Sequence, residues 1–239
     1  MNASRRAVLG TVAGASTALA GCTGLLGGGG DAQTSPDGDP LESPAANAPV
    51  PDDAGSRTYA AMGTGGPEIT YFGSWKCPFC AEFSVGSDRV LSLSTIVTDY
   101  VEPGDLTLSY QCLAYTSNGD PFLGPDAPRA ARAGLSVWNR EPEAYWGFHE
   151  YVMANQPSES ETWATVDRLV EFAKEANVSN PGGVRSDLQN GKYEQTIEAT
   201  TKDFEQSGAS GTPALVVDGD SYSPFEPEKT RQALDALGE

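Results

Sequence analysis

Cys77-Pro78-Phe79-Cys80 lies where the chain changes from a strand pattern to a helix pattern. Before it runs Ile69-Thr70-Tyr71-Phe72-Gly73-Ser74-Trp75, apolar and β-prone. After it, Phe79 and Phe83 share a helical face, and Pro78 falls in the first turn, where its missing N–H is no loss. Two cysteines spaced this way at a helix start can close a small disulfide and reopen it. The first faces unpaired backbone N–H groups and the positive end of the helix dipole, which favour S⁻ over S–H. The motif therefore demands a strand that feeds directly into a helix, and it suits thiol-disulfide exchange.

The rest of the chain can be fitted around that junction. Arg57–Met62 reads as a short first strand and Glu68–Ser74 as a second. The helix from Pro78 is interrupted at Gly86-Ser87-Asp88, and Val90, Leu93 and Val97 carry a helical pattern on to Tyr100. Leu106–Tyr115 alternates as a strand with one buried face. The middle third is helical: Asp126–Arg140, a helix opened by Pro142, Thr162–Ala176, and two shorter helices within Val184–Gln206 split near Gly191. Gly211-Thr212-Pro213 then leads into a buried-looking strand, Ala214–Val217. Ser221–Phe225 is its expected hairpin partner and Pro227–Leu237 a closing helix. This order predicts an α/β sheet with a helical insertion at about 126–206.

The amino-terminal fifth has a different character. Ser4-Arg5-Arg6-Ala7-Val8-Leu9-Gly10 carries paired arginines, followed by a small-residue apolar stretch to Ala20 that is short for a membrane span. Residues 1–21 are expected to be an export signal of twin-arginine type. Leu19-Ala20-Gly21-Cys22 reads as a lipobox, with Cys22 the lipid-bearing residue; the alternative is a cleaved, secreted protein in which Cys22 is incidental. Residues 22–56 are rich in Gly, Pro, Ser and Asp and hold no Lys or Arg. They are expected to be a disordered acidic tether with a reach of roughly 30 Å, leaving 57–239 as the folded domain. With 33 acidic residues against 15 basic, a net of -18, the chain would repel nucleic acid and anionic lipid headgroups. Any membrane contact is expected through the lipid alone. A surface this acidic also suits a high-salt, halophilic setting.

The Cys-Pro-Phe-Cys motif after a strand, the Thr212-Pro213 pair before another strand, and the helices between them together resemble the thioredoxin superfamily, and the insertion narrows this to its DsbA-like branch. Phe148-His149-Glu150-Tyr151, with Tyr145-Trp146 before it and Asn155-Gln156 after it, is similar to part of that branch's insertion. The resemblance covers about residues 57–239. It implies a thioredoxin fold, an exposed attacking sulfur at Cys77, a buried resolving sulfur at Cys80, a cis Pro213, and a Thr212 backbone that pairs with extended substrate. It implies no cofactor. Phe79 stands where the strongest oxidants of the branch carry histidine, and Pro78 and Phe79 are the tuning positions. A helix dipole worth at most about 2 kcal/mol moves a thiol by only about 1.5 pKa units. Lys76 is expected to point to solvent, so a Cys77 pKa on the order of 6–7 and a moderate oxidant follow.

Two other side chains are candidates. Cys112, mid-strand among Leu108, Tyr110 and Leu113, is read as packing, with a third redox thiol as the alternative. His149, the one histidine, is read as packing rather than as a base. A zinc site from Cys77, Cys80, Cys112 and His149 is disfavoured by Pro78 and the single pair of closely spaced cysteines. The leading function is an extracytoplasmic, lipid-anchored thiol-disulfide oxidoreductase. Its expected partners are unfolded or reduced exported proteins and a membrane redox protein. The alternatives are a reductant or isomerase with a membrane electron donor, and a peptide-binding surface lipoprotein in which Cys77–Cys80 is a static staple.

Overall fold

The computed structural model describes residues 38–238. Its centre is a five-stranded sheet of order β1-β3-β2-β4-β5. Strands β2 (Glu68–Gly73) and β3 (Thr107–Cys112) form the parallel middle pair, in register from Glu68 opposite Thr107 to Gly73 opposite Cys112. A parallel pair needs a crossover. Helix α1 (Pro78–Val85), the short α2 (Leu93–Ile96) and a wide π-helical turn through Val101 supply it. Strand β1 (Ala60–Met62) flanks β3 antiparallel, with Ala60 opposite Tyr110. On the other side β4 (Ala214–Val217) runs antiparallel to β2, with Tyr71 opposite Leu215, and pairs with β5 (Asp220–Tyr222). Most of β2 and β3 is buried, as expected for central strands covered on both faces. The crossover starts at the carboxyl end of β2, and that is where the cysteine motif lies.

Between β3 and β4 come α3 (Ala127–Arg140), α4 (Tyr145–Ala154), α5 (Val166–Glu175), α6 (Pro181–Gln189) and α7 (Glu194–Gln206); α8 (Pro227–Asp235) closes the described chain. Two indoles tie the insertion to the first strand region. Trp146 Nε1 donates to the Ala61 carbonyl at 3.0 Å and Trp138 Nε1 to the Arg57 carbonyl at 3.1 Å. Helices α3 and α6 are pinned by the buried carboxylate of Asp187. It takes two bonds from Arg140 at 2.7 and 2.8 Å, one from Ser136 at 2.8 Å, and an ion pair from Lys192 at 2.7 Å. No helix among the described residues is long and apolar enough to cross a membrane.

One expectation is corrected by the structure. The folded chain begins before Arg57: residues 38–56, expected to be tether, pack onto the domain. Asp39 caps a short turn over Pro40–Glu42, and Leu41 covers Gly147 of α4. Ala45, Ala48 and Ala54 are buried, and the Gly63 N–H donates to the Pro49 carbonyl at 2.7 Å. Small, Pro-rich composition suggested disorder because it offers little apolar area. The same composition makes ordering cheap, since alanine and proline lose almost no side-chain entropy and proline restricts the unfolded chain. The signal expected at 1–21, Cys22, and the remainder of the tether lie outside the described residues.

Candidate active site

Helix α1 begins with Cys77 as its N-cap, in extended geometry (φ -82°, ψ 120°), and Pro78 in its first turn. It stops at Gly86, whose φ of 91° returns its N–H to the Glu82 carbonyl at 2.8 Å. No side chain caps the amino end. Its free N–H groups therefore face the Cys77 sulfur, as the motif spacing required. Both cysteines are free thiols here. Cys80 is 0% exposed, and its sulfur receives the Ser74 N–H at 3.4 Å.

The electrostatics separate the two sulfurs. Cys77 is lowered to about 6. The largest cause is the Cys80 thiol donating to it; burial opposes, and the Thr212 hydroxyl and the N–H groups of Cys80 and Phe79 add to the lowering. Cys80 is pushed far above an ordinary thiol, first by burial and then by the neighbouring Cys77. At neutral pH one sulfur is an anion and the other keeps its proton. The resemblance implied an exposed Cys77, but its residue is only 4% exposed. The loop carrying Thr212 covers it: the Thr212 carbonyl lies 3.3 Å from Cys77 Sγ, beside the cis Thr212-Pro213 bond.

Beside the sulfur runs a groove of about 280 Å³, lined by Phe79, Gly211, Thr212, Pro213, Tyr222 and Phe225 among others. Phe79 is 51% exposed, the one large apolar side chain left in solvent among the described residues. Its ring meets Phe225 edge-on at 5.7 Å, and the Arg89 guanidinium sits 5.0 Å from the Phe225 ring centre. Cys77, Pro78, Phe79, Cys80, Thr212 and Pro213 are thus gathered in one place.

Cys112 and His149 lie inside. Cys112 lines a small internal gap with Trp75, Tyr110 and Tyr145, and burial raises its thiol to about 12, so it is a poor nucleophile at neutral pH. His149 is fully buried in a cage of aromatic rings, its Nδ1 2.9 Å from Glu150 Oε1. Among the described residues no group of three or more His, Cys, Asp or Glu side chains is placed to hold a metal ion.

Two supports of the site escaped the sequence reading. Lys76, expected in solvent, is 1% exposed. Its ammonium lies 2.5 Å from Asp126 Oδ1 and 2.8 Å from the Glu161 carbonyl, while Asp126 Oδ2 accepts the Ala164 N–H at 2.8 Å. Burial raises the Asp126 pKa, but the bonds from Lys76 and Ala164 prevail and hold it below its ordinary value. Gln156 Nε2 donates to the Trp75 carbonyl at 2.9 Å and to the Cys77 carbonyl at 3.4 Å, clamping the approach to the motif. The partners of Lys76 come from residues that follow β3 by many positions in the chain, and no local pattern announces them.

A thioredoxin family model, described as "Thioredoxin", matches residues 65–236, from just before β2 to the end of α8. Disulfide bond formation protein D of Bacillus subtilis (strain 168) is 26% identical over 149 residues, which is 62% of this chain and 62% of that protein's length. The crystal structure of oxidised BdbD from Bacillus subtilis superposes with a TM-score of 0.64 at 22% identity, covering 80% of this chain and 96% of that one. DsbA of Chlamydia trachomatis superposes with a TM-score of 0.60 at 21% identity, over 76% and 93%. These likenesses establish the fold, including the helices between the two halves of the sheet.

Proposed function

The chain belongs to the thioredoxin family, on its DsbA-like branch, and from that premise we propose that it exchanges disulfides with exported proteins through Cys77 and Cys80. The observation that carries this reading is the inequality of the two sulfurs: Cys77 lowered to about 6 at the helix start, Cys80 buried behind it with a strongly raised pKa. In the oxidised protein a substrate thiolate attacks Cys77 Sγ. The Cys77–Cys80 bond breaks, and its electron pair stays on Cys80. A second substrate thiolate attacks the substrate sulfur of the mixed disulfide, and Cys77 departs as a stabilised thiolate. Two electrons move from substrate to the cysteine pair, and a membrane redox partner would take them away.

The groove at Thr212-Pro213 supports recognition of extended chain. The backbone before β4 offers main-chain groups to an added strand, a mode that reads little sequence and suits varied unfolded substrates. The arginine pair at Arg5-Arg6 and the lipobox ending at Cys22 support an exported protein, lipid-anchored on the outer face of the cell membrane, where disulfides persist. A moderate Cys77 pKa supports a moderate oxidant. Cys77→Ala is expected to abolish oxidation of a reduced peptide, and Cys80→Ala to trap a mixed disulfide. Turnover by Cys77→Ala would refute the reading. The reduction potential sets direction: near -120 mV indicates an oxidant and near -270 mV a reductant.

A further inference from the structure

The exchange site leaves one sequence motif unused. The acceptor pattern for N-linked glycans, Asn-X-Ser/Thr with X other than proline, occurs twice in the chain, at Asn2-Ala3-Ser4 within the expected signal and at Asn177-Val178-Ser179. The second lies among the described residues, between α5 and α6. So short a pattern recurs by chance, and it carries weight only where the surroundings suit the modification. Here Asn177 and Ser179 are both exposed, while Val178 between them is buried.

The backbone accounts for a turn at this place but not for the residue. Helix α5 is capped by Ala176, and Asn177 follows in the left-handed region at a φ of 59°. The Val178 N–H returns to the Ala173 carbonyl at 2.9 Å, which makes Val178 the buried anchor of a helix-ending turn. Glycine serves the left-handed position best, so the turn does not call for a carboxamide. Nor does the side chain brace anything. Asn47, Asn139, Asn155, Asn180 and Asn190 each spend their side-chain amide on a nearby backbone group. Among the described residues Asn118 and Asn177 are the asparagines that do not, and Asn118 is followed by Gly119-Asp120, which is no acceptor pattern. Ser179 donates its hydroxyl to Glu141 Oε1 at 2.6 Å and its N–H to Oε2 at 2.8 Å, both at the surface. A free, exposed carboxamide thus stands two residues before an exposed hydroxyl.

We propose that Asn177 is an N-glycosylation site, its carboxamide nitrogen carrying a saccharide transferred from a lipid-linked donor. The inference rests on the export reading, since the donor and a membrane transferase would meet the domain on the outer face of the membrane. In the transfer the Asn177 nitrogen attacks the anomeric carbon of the saccharide. The bond from that carbon to the lipid phosphate breaks, and its electron pair leaves on the phosphate oxygen. One amide proton passes to a base of the transferase, and nothing is oxidised or reduced. For Ser179 to be read, its two hydrogen bonds to Glu141 have to open. The glycan then stands at the end of α5, where no residue is shared with the groove beside Cys77. It is a bulky, solubilising cover on the insertion, and it leaves the groove open to substrate.

The test uses the full chain, wild type and variants, expressed in its own cells and recovered from their membranes. Trypsin cuts after Lys174 and Arg185, so Asn177 falls in the peptide Glu175–Arg185. Mass spectrometry of that peptide from the wild-type chain is expected to show a saccharide increment on Asn177 that is lost stepwise on fragmentation. Asn177→Gly keeps the left-handed turn and so retains the fold. Ser179→Ala keeps Asn177 itself. Both should yield the peptide without the increment, and Ser179→Thr should yield it with the increment. An unmodified wild-type peptide on exported protein overturns the site, and so does an increment that survives Ser179→Ala. A wild-type chain retained inside the cell with residues 1–21 still attached overturns the export reading, and the site falls with it.

Discussion

Cys77 stands where a helix ordinarily places serine, threonine or aspartate to cap its first N–H groups, and as a thiol it caps nothing. As a thiolate it faces the N–H groups of Phe79 and Cys80. Ionisation and helix capping are therefore one event, and Pro78, with no N–H, withholds nothing from it. The sign of the linkage follows. A thiol lowered from 9.0 to about 6 stabilises the reduced fold fully above its unfolded pKa, and the benefit is lost as pH falls through about 6. Reduced protein should be more stable at pH 9 than at pH 5 by roughly 3 kcal/mol relative to the oxidised protein, in which Cys77 has no thiol to titrate and the Cys112 thiol is common to both forms. Urea unfolding of both forms at the two pH values measures it. Thr212→Val removes one stabilising hydroxyl and should raise the midpoint of thiolate absorbance. The helix-start contribution was legible in the spacing of the two cysteines; the Thr212 hydroxyl was not, because it arrives from a loop on the other side of the insertion.

Around that residue, the elements are held in register by buried polar ties. The turn between β2 and α1 is fastened to the insertion twice, by the Lys76 pair with Asp126 at the start of α3 and by Gln156 beyond α4. A buried ion pair costs desolvation to form, but removing one partner strands the other. Asp126→Ala should therefore destabilise the protein by about 3–5 kcal/mol. Replacing both partners together, Lys76→Met with Asp126→Leu, should recover most of that loss in denaturant unfolding. No recovery in the double variant would mean that the pair is not the tie described. The element boundaries themselves followed closely from sequence: α1 ends at Val85 before Gly86, and α6 and α7 divide around Gly191. Lysine is usually solvated, and only the packing of the insertion puts the Asp126 carboxylate where Lys76 is buried.

At the scale of the whole molecule, the strap of residues 38–56 and the acidic surface are the two features to test. The strap buries three alanines and reaches Glu150 through Ser43. A chain starting at Gly38 should melt roughly 5–10 °C above one starting at Arg57, the shift expected for about 2–3 kcal/mol in a domain of this size. Equal melting temperatures would show that the strap adds nothing. With a net charge of -18, self-repulsion between carboxylates should weaken as salt screens them, so stability is expected to rise from low salt to molar salt. Thermal unfolding across that range checks it, and indifference to salt would argue against a high-salt habitat.

The sequence by itself determined what depends on neighbours along the chain: a strand running into a helix capped by cysteine, the glycines that end or divide helices, and the Thr-Pro step before a buried strand. These follow from backbone sterics and unpaired helix-end groups, which act over one or two turns. The tertiary structure alone decided what depends on residues brought together from far apart. It covered Cys77 with the Thr212 loop, buried Lys76 against Asp126, and folded the strap onto α4. Such contacts are made by the sheet order and the docking of the insertion, and a polar atom is stranded or satisfied only once those surfaces have closed.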